Sequence, residues 1–146
     1  MCAFLVLECR RGALGAAHLG KLDEAQAAGT RLEELEAAAQ KSGEELFARS
    51  IGVLRLELAA WSAHMEGREE ASLALMREAV DLEASTPKHA VTPGPTLPAL
   101  EQLGDLLMAK RKAADALAAY RRSLELYPNR YNSLRGAERA AAALQD

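Results

Sequence analysis

The sequence predicts an all-α fold, and three observations carry that expectation. Ala and Leu supply most of the hydrophobic residues while aromatic residues reach only 4%, so the side chains that favour strands are scarce. Apolar residues recur at three- and four-residue spacings, and no segment shows the sustained alternation of a half-buried strand. Glycine, proline and asparagine interrupt this pattern at nearly regular intervals. With 49% hydrophobic and 27% charged residues over 146 positions, the composition is that of a soluble, folded chain with room for one ordinary core.

The elements follow in order. A first helix over 2–19 is apolar nearly all round from Met1 to Leu7, as expected of a helix covered on more than one side. Gly20-Lys21 ends it, and a second helix runs over 21–42 to Ser42-Gly43. The third, over 44–66, has Ser42 as its candidate N-cap and stops at Glu66-Gly67-Arg68. The fourth covers 68–85, where a proline-rich loop begins. Beyond Pro98 the fifth and sixth helices, 97–110 and 113–127, are parted by Lys110-Arg111-Lys112. Pro128 stops the sixth, and Asn129 is the candidate N-cap of a seventh over 130–144. Turns of two or three residues imply antiparallel neighbours. The expected plan is therefore one domain, 1–146, with helix pairs at about 2–42, 44–85 and 97–128 and a capping helix at about 130–144.

An internal repeat sharpens this plan. Within the 34 residues Leu97–Arg130, Leu100, Leu103, Gly104 and Leu107 fall at relative positions 4, 7, 8 and 11. Ala116, Tyr120, Ser123 and Pro128 fall at 20, 24, 27 and 32. Small Gly104 and Ala116 permit close approach of two helices, Leu107 and Tyr120 fill the space between them, and Pro128 ends the second. This spacing resembles the tetratricopeptide repeat, with Ser123 and Leu100 replacing the usual Ala and Trp. Two looser copies precede it, anchored on Ala25 and Ser72; Ala25 to Ser72 is 47 residues and Ser72 to Ala116 is 44, and Gly29 sits where a large residue belongs. From about residue 45 onward the chain also resembles the C-terminal part of larger bacterial tetratricopeptide proteins, through Pro87–Pro95, Leu103–Leu107 and Tyr127–Tyr131. The resemblance implies a right-handed superhelix of stacked antiparallel pairs that binds proteins or peptides.

Charge and motif readings point the same way. The net charge of −3 is spread over mixed signs, which speaks against a nucleic-acid footprint. No apolar run reaches the roughly 18 residues of a membrane span, and Glu8, Arg10 and Arg11 stand where a signal peptide would be cleaved. Cys2 and Cys9 lie about 10 Å apart along one helix, beyond the roughly 7 Å a disulfide allows, so a reducing, cytoplasmic setting is expected. Gly12, Gly15 and Gly20 follow no strand and are read as helix-packing glycines rather than a nucleotide loop. His18, His64 and His89 form no metal-ligand pair on one helix, and no serine sits in a Gly-x-Ser-x-Gly elbow. The runs Glu33-Glu34-Glu36 and Glu69-Glu70 are read as solvated faces. No cofactor or metal is expected.

The family resemblance implies a concave groove lined by Arg10, Leu14, Glu57, Trp61, His64, Glu101, Asp105 and Met108, with Leu7, His18, Leu54 and Met65 beside them. The capping helix adds Arg135 and Arg139. With Glu57, Glu101 and Asp105 at its centre the groove is expected to be acidic, to lack a carboxylate clamp and to favour a basic, apolar peptide. The loop 85–98, carrying Pro87, Pro93, Pro95 and Pro98, is either a rigid spacer or a groove wall with His89 as its contact. The apolar start, Met1–Leu7, is a candidate homodimer surface. The alternative is a small helical enzyme or ligand-binding protein, using His64, His89 and Glu57 between the loop and the groove.

Overall fold

The computed structural model describes residues 14–17, 19–87 and 97–145. The described residues are all-helical: a helical turn at 14–17 is followed by α1 (Leu22–Lys41), α2 (Glu45–Met65), α3 (Glu69–Ala84), α4 (Ala99–Ala109), α5 (Ala113–Leu126) and α6 (Tyr131–Ala142). The chain divides into two compact units, Met1–Pro87 and Lys88–Asp146, at the proline-rich stretch. Met1–Leu7, Arg10, His18 and His89 lie outside the described residues. No described helix is long and apolar enough to cross a membrane.

The turns explain the helix register. Gly20, Gly43 and Gly67 take φ of +72°, +74° and +74°, and Arg111 takes +57° at the equivalent place. Each follows a helix whose last carbonyls are closed by a paired set of bonds. At Gly43, for example, its own N–H donates to Gln40 O (3.1 Å) and the Glu44 N–H to Ala39 O (2.9 Å), a left-handed helix ending that glycine suits best. The next helix starts immediately, from a long charged residue (Lys21, Glu44, Arg68 or Lys112) with no side-chain cap. Ser42 and Asn129 therefore are not the N-caps their types suggest. Ser42 closes α1 and its Oγ donates back to Ala38 O at 2.7 Å, while Asn129 takes φ of +63° and Arg130 precedes α6. Acidic residues in the first turns of α1, α2 and α3 meet the positive end of the helix dipole there.

In the N-terminal unit α2 packs on both α1 and α3. Its core is aliphatic: Leu32, Leu35, Ile51, Leu58, Met76 and Ala79, with Trp61 among them, are all buried. Arg49 of α2 ties down the end of α3, its guanidinium donating to Ser85 Oγ (2.7 Å), Ser85 O (3.3 Å) and Thr86 Oγ1 (3.3 Å), where a cation also meets the negative end of the dipole.

In the C-terminal unit α5 packs on α4 and α6, and α6 also reaches α4. Tyr120 is the wedge. A Cβ built on Gly104 would lie 2.6–2.8 Å from its ring, and one on Gly136 would fall within 2.8 Å of Tyr120 Cδ1 and closer still to Cε1 and Cζ. The phenol thus rests against bare backbone at two glycines, one from α4 and one from α6.

Candidate functional site

Among the described residues, a surface with a defined polar geometry lies on the C-terminal unit, where α6 meets α4. It is built from a buried carboxylate outward. Glu101, in the first turn of α4, is 1% exposed. Arg130 donates to it through Nε (3.1 Å to Oε2) and Nη2 (3.3 Å to Oε1), Ser133 Oγ through a 2.6 Å bond to Oε2, and Asn132 Nδ2 through a long 3.4 Å bond to Oε1. These four donors match the acceptor capacity of a carboxylate. Because the Ser133 proton goes to Glu101, the 3.1 Å contact between Ser123 Oγ and Ser133 Oγ has Ser123 as donor. A charge this deeply buried is tolerated when it is both paired and hydrogen-bonded, and here the pairing fixes the start of α6 against α4.

One turn along α4 the second carboxylate does related work. Tyr120 OH donates to Asp105 Oδ1 at 2.6 Å, and Arg139 Nη2 of α6 stands 3.5 Å from the same oxygen. Burial, with Asp105 beside it, raises the phenol's pKa well above its ordinary value. Asp105, Tyr131, Asn132, Arg135 and Arg139 line an open depression of about 320 Å³. Tyr131, Arg135 and Arg139 succeed one another at four-residue intervals and so form a row along one face of α6.

No family model, curated protein or solved structure matches the chain.

Among the sequence-predicted residues, Asp105, Arg135 and Arg139 meet at this depression. Glu101 lies beneath the surface, and Met108 is half-buried beyond the lining. In the N-terminal unit Leu14, Glu57 and Trp61 are buried. His64 packs edge-on to Trp61, ring centroids 5.8 Å apart and planes at 76°, with Nδ1 3.3 Å from Glu69 Oε1. The acidic charge expected of Glu57 and Glu101 is thus withdrawn from solvent, because both side chains are taken into helix packing. Sequence reasoning missed Tyr131 and Asn132, and it missed Gly136 as the second support of Tyr120. The four-residue row Tyr131, Arg135, Arg139 was the available signal. No group of three or more His, Cys, Asp or Glu among the described residues could hold a metal ion.

Proposed function

We propose that this chain is a non-enzymatic binding module of the tetratricopeptide-like kind, acting in the cytoplasm, that holds a protein or peptide segment on the α4–α6 surface. The observation that carries the reading is the exposed row Tyr131, Arg135 and Arg139 beside an open depression, mounted on the packed support of Tyr120, Gly104 and Gly136. Rigid presentation lowers the ordering cost of binding. Tyrosine and arginine are the side chains that most often anchor such contacts, and an open depression suits a chain segment better than a small molecule, which favours an enclosed pocket. The test is selection from a random peptide display on the immobilised chain, followed by backbone-amide chemical-shift mapping with the best binder. Shifts centred on Tyr131, Arg135 and Arg139 are expected. A selection that enriches nothing, or shifts confined to α1–α3, would reject the reading.

A further inference from the structure

We propose that the partner seated on α4–α6 is an acidic segment, with two carboxylate side chains two residues apart in an extended backbone. The inference rests on the binding reading above and adds the chemistry of the occupant. It starts from how the charges on this surface are committed. Glu101 is 1% exposed and engaged by Arg130, Asn132 and Ser133. Asp105 accepts from the Tyr120 hydroxyl and faces Arg139. Glu101 is thus withdrawn inside and Asp105, 35% exposed at the depression, is offset by its contacts to Tyr120 and Arg139, whereas the guanidinium side chains of Arg135 and Arg139 are 59% and 61% exposed.

Arg135 does have an acidic neighbour, Glu138, at 3.1 Å. That pair joins two exposed side chains three residues apart on one helix, a contact worth only about 0–1 kcal/mol, and a better-placed carboxylate displaces it. Over residues 88–146 there are nine basic and six acidic side chains, against nine and fifteen over 1–87. The C-terminal unit thus carries +3 and the N-terminal unit −6, so an anionic segment is drawn to the first and repelled by the second.

Spacing selects the form of the ligand. Arg135 and Arg139 are four residues apart, a rise of about 6 Å along α6. Side chains on the same face of an extended strand repeat every two residues, roughly 6.6–6.8 Å, so acidic residues at alternate positions meet both guanidinium groups. Continuing the row, the next same-face residue arrives over Tyr131, which is 72% exposed and offers an aromatic face to an apolar side chain. The expected pattern is acidic-x-acidic-x-apolar or its reverse, apolar-x-acidic-x-acidic.

The test uses the full chain and the display selection already described, with peptides resynthesised with acetylated N-termini and amidated C-termini so that only side-chain carboxylates remain. Enriched peptides with acidic residues two apart are expected, their affinity falling at least tenfold between 50 mM and 500 mM NaCl. It should fall at least tenfold again in the double variant R135E with R139Q. R122E on α5, whose side chain pairs with Glu125 elsewhere on the unit, should change affinity less than twofold, and the milder pair R135Q with R139Q separates loss of charge from loss of folding. Enrichment of basic or uncharged peptides would overturn the acidic assignment while leaving the binding reading intact. Acidic peptides that bind the double variant as well as the parent would overturn it too. An empty selection defeats both readings together.

Discussion

In the N-terminal unit, helices of 20, 21 and 16 residues meet through alanine and branched aliphatic side chains. In the C-terminal unit, helices of 11, 14 and 12 residues close around one tyrosine and one buried carboxylate. The described helices of the two units are stabilised differently. Long helices with broad apolar contact spread their energy over many small terms, and volume-conserving change is tolerated there. Short helices have less area to bury, so specific fit and a satisfied polar network carry more of the stability. The C-terminal unit should therefore be the more sensitive to single substitutions.

The largest effect is expected at the carboxylate. Glu101→Ala leaves Arg130, a quarter exposed, without its buried partner, and breaking such a pair typically costs about 3–5 kcal/mol. Urea denaturation followed by circular dichroism should show an early transition for the C-terminal unit. A loss below about 1 kcal/mol would mean that the network contributes little and that the contrast between units is mistaken.

Glycine substitutions test packing directly. Gly136→Ala and Gly104→Ala each drive a methyl group into the Tyr120 ring, and overpacking of this kind costs about 1–3 kcal/mol. Gly29→Ala, in the interior of α1, meets nothing nearer than Leu58 Cδ2 at 3.7 Å. It should raise stability by about 0.5–1 kcal/mol, the helix-propensity gain. Opposite signs at Gly136 and Gly29 in the same denaturation assay would sharpen the comparison, and equal signs would break it.

Tyr120 adds a dependence on pH. Its pKa is raised in the folded state, so the stability it lends is fully present below the ordinary phenol value of about 10 and declines as pH rises above that. The parent chain should lose stability above pH 10 more steeply than Tyr120→Phe. At pH 7 the variant should be less stable by about 1.5 kcal/mol, as expected for a lost bond to a carboxylate. Parallel melting curves from pH 8 to 11 would decide it.

How much of this could be read from the chain depends on the range of the contact. The glycines at 20, 43 and 67 were legible because a left-handed helix ending is a local demand, and their φ values meet it. Gly104 against Tyr120 was legible because the repeat spacing fixes which residues face each other in one hairpin. Gly136 against the same ring was not, since it lies beyond the repeat and depends on how α6 packs on the α4–α5 pair. The Glu101–Arg130 pair spans 29 residues and was hidden for the same reason. Ser42 and Asn129 misled because their types suit both ends of a helix, and only the left-handed residue beside or at each position decides which end it is.

The smallest contrast concerns two buried serines. Ser72 in α3 and Ser123 in α5 are both fully buried, and neither type favours a helix interior. Among the described residues Ser72 Oγ meets no hydrogen-bond partner, whereas Ser123 Oγ donates to Ser133, which holds Glu101. A buried hydroxyl without a partner costs more than the methyl that replaces it, so Ser72→Ala should be neutral or stabilising by up to about 1 kcal/mol. Ser123→Ala leaves Ser133 an acceptor short of its donor and should cost about 1 kcal/mol. The substitution is identical and burial is identical, so a difference between the two shifts from the parent midpoint reports how each hydroxyl is partnered. Matching midpoints would show that the polar chain from Ser123 to Glu101 adds nothing beyond packing, and the C-terminal unit would then be held by Tyr120 and its two glycines.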